Sequence, residues 1–241
     1  MPPQTMYITT SWDDGHVLDL RLASELATRG LPGTFYVCPM DWEIPEEKRL
    51  TPSLLRELGA ISEIGGHTLT HPRLPTISID EARREITEGK DALEQVLEHP
   101  VTSFCYPYGA YGPEHPDLVK SAGFTMARTV ERFQTGRPDN LYEMGTTLHA
   151  YRHLVDGLEI CRRARSLRQA SGMWHNWEQL GRPLFKETRA KGGVFHLWGH
   201  SWEVDANGDW SRLQRILDEV MDQDAVLVTN GQLATALRQG A

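Results

Sequence analysis

Short apolar runs alternate with amphipathic stretches from one end of the 241-residue chain to the other, and that alternation confines it to an α/β architecture. Strands are read at 6–12, 33–38, 64–66, 102–106, 123–128, 193–198 and 225–229. Several of these runs are apolar almost throughout, as a parallel sheet covered by helices on both faces requires. Helices are read at 17–29, 52–62, 79–97, 113–122, 154–169, 177–190, 211–221 and 232–238. Two carry start signals: Thr51 precedes Pro52, placing proline at the first helical position, and Ser78 with Glu81 forms a capping box. The order predicts a parallel α/β barrel, with an open doubly wound sheet as the alternative, and the length suits one domain over 1–241. Either architecture puts a ligand at the C-terminal ends of the strands.

The first strand ends in Thr9-Thr10-Ser11-Trp12-Asp13-Asp14-Gly15-His16. Adjacent carboxylates repel unless a cation or a proton lies between them. A candidate partner set follows in Gly65-Gly66-His67-Thr68-Leu69-Thr70-His71-Pro72. Histidines four apart share a face in a helix and in a strand, so His67 and His71 can serve one metal in either geometry. The flanking glycines and Pro72 favour a loop at a strand end. One carboxylate and two imidazoles leave open positions on a divalent ion, the mark of a catalytic rather than a structural site.

Composition narrows the partners. A net charge of −8 argues against nucleic acid or an anionic membrane surface, and no run approaches the roughly 20 apolar residues of a membrane span. Residues 1–5 carry no basic and apolar leader pattern, and Cys38, Cys105 and Cys161 offer no disulfide framework. A cytoplasmic protein is the expectation; the oligomeric state is left open.

Taken in order, Ser11-Trp12-Asp13-Asp14-Gly15, His67-Thr68-Leu69-Thr70-His71, Phe104-Cys105-Tyr106-Pro107-Tyr108-Gly109 and His196-Leu197-Trp198-Gly199-His200 resemble the motifs of the polysaccharide deacetylase (NodB homology) family, carbohydrate esterase family four. The resemblance implies a distorted (β/α) barrel. It also implies a metal-dependent hydrolase that removes an acyl group, N-acetyl first, from an amino sugar or glycan, with metal-bound water as nucleophile. Asp14, His67 and His71 would hold the ion, zinc before cobalt, nickel, manganese or iron. Asp13 would be the general base, the Tyr108 backbone N–H an oxyanion donor, and Thr68 a brace for the histidine loop. Alternation on the last strand lets His196 or His200 face the site. His200, at the strand end, is the expected acid, and His196 a residue packed behind it. Tyr106, Pro107, Trp198 and Trp202 are expected to contact substrate.

The third motif departs from the pattern, because many members have arginine where Cys105 stands. Arg128, at the end of its own strand, is expected to replace that guanidinium, and Cys105 to be a small buried residue. Two rival functions remain: an amidohydrolase for cyclic ureides, imides or formamides, and a metal-free carbohydrate-binding protein. Elsewhere His149 and His153 are read as surface residues, Glu81 to Glu88 as a solvated helix face, and Asn230 as a helix cap. His16 is divided between a place near the metal and a capping role. Trp174, His175 and Trp177 are read as helix packing.

Overall fold

A computed structural model describes residues 5–221 and 224–239; of the segment read for a leader, residues 1–4 lie outside them. The strands are β1 (Tyr7–Asp14), β2 (Gly33–Val37), β3 (Glu63–Gly66), β4 (Ser103–Cys105), β5 (Met126–Arg128), β6 (Leu148–His149), β7 (Val194–Gly199) and β8 (Val226–Leu227). The sheet order is β5-β4-β3-β2-β1-β7-β6, parallel throughout, and β8 pairs with Tyr7 and Ile8 of β1. Residues 129–147 bridge the gap between β5 and β6. The Thr129 N–H donates to the Met144 carbonyl at 2.8 Å, and the Phe133 N–H to Thr147 at 3.1 Å. The result is a distorted barrel rather than an open sheet.

The helices are α1 (Asp19–Ala27), α2 (Pro52–Gly59), α3 (Ile79–Leu97), α4 (His115–Ser121), α5 (Gly157–Arg163), α6 (Leu167–His175), α7 (Trp177–Lys191), α8 (Ser201–Ala206), α9 (Trp210–Val220) and α10 (Asn230–Gln239). Both sequence caps form: Thr51 Oγ1 accepts the Leu54 N–H at 3.3 Å and Ser78 Oγ the Glu81 N–H at 3.2 Å. No helix among the described residues is long and apolar enough to cross a membrane.

Alternation along β1 builds two environments. Ile8 and Trp12 join the apolar core with Leu22 and Leu26 of α1, where each fully buried side chain contributes about 1.5–3 kcal/mol. Thr9, Ser11 and Asp13 form a polar ladder inside the barrel. Thr9 Oγ1 donates to Asn230 Oδ1 at 2.8 Å, Ser11 Oγ lies 2.8 Å from His196 Nε2, and Asp13 accepts from Arg128. The ladder ends at the mouth where the strands finish.

The structure corrects three sequence expectations here. The helix read at 154–169 is broken after Arg163, where Ala164 turns extended and Ser166 Oγ restarts a helix by accepting the Gln169 N–H at 3.2 Å. Two-residue β6 gave no readable run. Asn230 is no cap: its buried amide donates to Tyr36 Oη at 2.8 Å, while Thr229 Oγ1 accepts the Gln232 N–H at 3.3 Å.

Candidate active site

Strand alternation alone would put Asp14 on the same side as Trp12. Instead Asp14 has φ 80° and Gly15 φ 79°, and this left-handed turn swings the Asp14 carboxylate into the barrel mouth. Thr68 (φ 64°), His71 (φ 65°) and Tyr108 (φ 56°) share that region. Such residues cost of order 1–3 kcal/mol each and persist only where the surroundings hold them. For the histidine loop the restraints are visible. Thr68 Oγ1 donates to the His67 carbonyl at 2.6 Å and accepts the His71 N–H at 3.1 Å. From α3, Glu85 accepts the N–H groups of Leu69 and Thr70 at 3.0 and 2.9 Å and the Thr70 hydroxyl at 2.8 Å. Glu85 therefore leaves the solvated face to which the sequence reading assigned it. Gly89, one turn on, lets the helix touch the loop: a Cβ there would lie 2.5 Å from the Thr68 carbonyl carbon.

These restraints bring three ligand atoms together. Asp14 Oδ1 is 3.6 Å from both His67 Nε2 and His71 Nε2, and the two nitrogens are 3.2 Å apart. A tetrahedral zinc with bonds of about 2.0–2.1 Å separates its ligands by about 3.3–3.4 Å, so this donor set fits such an ion. The other ring nitrogens fix the tautomers: His67 Nδ1–H donates to the Cys105 carbonyl at 2.8 Å and His71 Nδ1–H to Glu43 at 2.9 Å. Both Nε2 lone pairs are then free for a metal. Burial alone would raise the Asp14 pKa, but His200, His67 and His71 hold the carboxyl far below the usual carboxylate range. Burial, with His67 beside it, lowers the His71 pKa.

Behind this triad, Arg128 Nη2 donates to Asp13 Oδ1, and both side chains are buried. The guanidinium lies between two rings, 4.7 Å from the Trp198 centroid and 5.2 Å from that of Tyr36. It reaches Asp13, as expected of a replacement for the arginine absent at Cys105. Cys105 itself is buried, and burial pushes its thiol pKa up.

On the other side of the mouth, His200 Nε2 is 3.8 Å from Asp14 Oδ2, and Trp202 Nε1 donates to that oxygen at 3.0 Å. His200 Nδ1 donates to Glu203, which also accepts from His149 Nε2 at 3.2 Å. Burial opposes charge on His200, but Asp14 and Glu203 outweigh it and push its pKa up to about 9. His149 is not a surface residue, as its sequence context suggested. It is buried, stacked on Trp198 at 3.8 Å, and 2.7 Å from His153. The acid that sequence neighbours did not supply arrives from α8. His196 lies deeper, buried against Ser11.

A cavity of about 620 Å³ opens over these groups, lined also by Trp198, Trp202, Tyr108 and His16. His16 turns its Nδ1 to the Leu18 N–H, which it accepts at 3.1 Å just before α1, in line with the capping reading. Trp198 Nε1 is buried without a hydrogen-bond partner among the described residues. Tyr106 and Pro107 do not line the cavity, contrary to expectation. Tyr106 is fully buried, donates to the Tyr142 carbonyl at 3.0 Å and stacks on Tyr111 at 4.8 Å. Pro107 is buried at the start of the turn that presents Tyr108. The sequence reading missed Glu43, Glu85 and the role of Glu203. Only Glu203 had a signal, three residues after His200 at the start of a helix.

An α/β barrel with two carboxylates and two imidazoles converging at the C-terminal ends of its strands defines a class of candidate metal-site barrel enzymes. The sequence profile of the polysaccharide deacetylases matches residues 1–127, just over half of the chain, and the chain belongs to that family. Membership supports a hydrolase that deacetylates glycans. Solved structures share the fold. A candidate polysaccharide deacetylase from Mycobacterium smegmatis is 19% identical, with TM-score 0.74 over 100% of this chain and 93% of that one. The chitin deacetylase of the fungal pathogen Colletotrichum lindemuthianum is 16% identical, with TM-score 0.65 over 95% and 88%. The peptidoglycan deacetylase PdaC of Bacillus subtilis, as a D285S variant, is 17% identical, with TM-score 0.59 over 100% and 95%.

Proposed function

We propose that residues 1–241 form one catalytic domain, a metal-dependent hydrolase that removes an acyl group, N-acetyl first, from an amino sugar or glycan. The observation that carries this reading is the convergence of Asp14, His67 and His71 at ligand spacing, open to a cavity and flanked by Asp13 and His200. Those three residues would hold the ion, and zinc suits one carboxylate and two imidazoles. When bound, a divalent ion supplies Lewis acidity, which makes water acidic near neutral pH and polarises a carbonyl.

The chain's own groups do the rest. Asp13, held by Arg128 and outside the ligand triad, accepts a proton from the attacking water at its carboxylate. The Tyr108 backbone N–H, on its positive-φ turn, donates to the oxyanion that develops on the acyl group. His200 donates its Nε2 proton to the leaving amine nitrogen, because Glu203 holds the opposite ring nitrogen. Trp198 and Trp202 wall the cavity against a sugar ring.

The test is acetate and formate release by zinc-loaded protein from chito-oligosaccharides, nucleotide sugars, lipid-linked sugars and cyclic amides. Chelator-sensitive acetate release from an amino sugar is expected. Ring opening of cyclic amides alone, or no chelator-sensitive release at all, overturns the reading.

A further inference from the structure

Two cations at the cavity mouth have no part in the reaction outlined above. Lys48 ends the short turn Glu46–Lys48, and Arg73 follows the histidine loop after Pro72. Both line the cavity and both are exposed. The acidic groups that line the same cavity are already engaged: Asp13 by Arg128, Asp14 by Trp202 and the histidines, and Glu43 by His71 and Tyr108. Glu46 and Glu47 share the Lys48 turn but do not line the cavity. Among the described residues neither Lys48 nor Arg73 forms an ion pair with a carboxylate.

Arg73 is also placed. Its guanidinium carbon lies 4.1 Å from the Tyr108 ring centroid, and that ring lies 4.6 Å from the imidazole of His71. One aromatic ring thus separates a guanidinium from a ligand histidine. Stacking fixes the guanidinium plane while leaving its N–H edge available, the arrangement that receives an oxyanion. A chain of net charge −8 repels anions at long range, yet Lys48 and Arg73 put two positive charges at this mouth beside Glu43, an exposed carboxylate whose hydrogen bonds point it at His71 and Tyr108.

We propose that Lys48 and Arg73 form an anion subsite, and that the acylated amino sugar carries an oxyanion, phosphate or carboxylate, beside the acyl-bearing ring. This rests on the hydrolase reading and narrows its substrate. Two exposed charge pairs together are worth roughly tenfold in affinity at low salt, fading as salt screens them.

Calorimetric binding to zinc-loaded protein would compare N-acetylglucosamine, its 1-phosphate and an N-acetylated aminouronate, with acetate release measured alongside. The charged sugars are expected to bind about tenfold tighter at low salt, and Lys48→Met and Arg73→Met each to narrow that ratio. The phosphate and uronate arms separate the two oxyanion sources. Equal binding of charged and neutral sugars, or a ratio unmoved by both substitutions, overturns the subsite. Acetate release without charge preference overturns the subsite alone. Charge-selective binding with no acetate release from any sugar supports the subsite and overturns the hydrolase reading.

Discussion

Arg128 and Asp13 stand on strands four places apart in the sheet order, yet their side chains form a buried ion pair across the barrel interior. The curvature of the distorted barrel, not adjacency in the sheet, brings β5 and β1 that near. Removing one partner leaves the other charge buried and uncompensated. Arg128→Met should therefore cost about 3–5 kcal/mol in urea unfolding, and adding Asp13→Asn should restore part of it. A double variant no more stable than the single one would show that the charges are not coupled. Arg128→Lys cannot fill the slot between Trp198 and Tyr36 with a planar fork, so turnover should fall. Wild-type turnover in that variant would end the idea that Arg128 holds the base.

The adjacent carboxylates have different neighbours, and their variants should separate accordingly. Asp14→Asn removes a ligand oxygen and should abolish both bound zinc and turnover. Asp13→Asn should keep zinc and lose about 10²–10⁴ in turnover, the usual share of a general base. Metal analysis of both purified variants is the check. Full metal in both would refute this division of labour.

The histidine loop is held from outside by α3, and its metal affinity should depend on residues that touch no metal. Gly89→Ala would drive a methyl group into the Thr68 backbone. Glu85→Gln removes the charge that accepts three hydrogen bonds from the loop. Each should weaken zinc binding by about 10–100-fold, the range for groups that orient ligands. Competition with a chromophoric chelator measures it, and unchanged affinity in both would make α3 a bystander.

Short-range patterns were legible in the sequence; contacts between distant elements were not. Asp13, Asp14, His67 and His71 sit at strand ends, where run length and punctuation reveal them. Strand–helix alternation pointed to a barrel and left an open sheet as the alternative. Glu85 was hidden because a carboxylate on an amphipathic helix looks the same whether it faces water or a loop. His149 was misread because its partner Glu203 is 54 residues away, on a helix that starts only after β7. Tyr106 was misread for the converse reason. It belongs to a motif next to the site, but its ring points into the core against Phe104 and Tyr111. Positive φ at Asp14, which decides which carboxylate meets the histidines, leaves no composition signal.

The adjacent histidines His149 and His153 give stability a pH dependence of definite sign. Burial pushes the His149 pKa down to about 4, against the opposing pull of Glu203, and burial with Arg132 nearby does the same for His153. An unfolded histidine takes its proton near 6.5, so as pH falls the unfolded state binds protons first. This contribution is complete above about 6.5 and is lost as pH falls through 4. For His149 it amounts to about 3 kcal/mol. His200 acts in the opposite window. With its pKa raised to about 9 in the metal-free protein, it adds stability below about 6.5 that is lost as pH rises through 9. His149→Gln keeps an amide donor near Glu203 and cannot take up a proton. Urea unfolding of metal-free protein from pH 7 to 4 should show the wild type losing about 3 kcal/mol more than this variant. Parallel stability curves would mean that His149 is not held neutral by the fold.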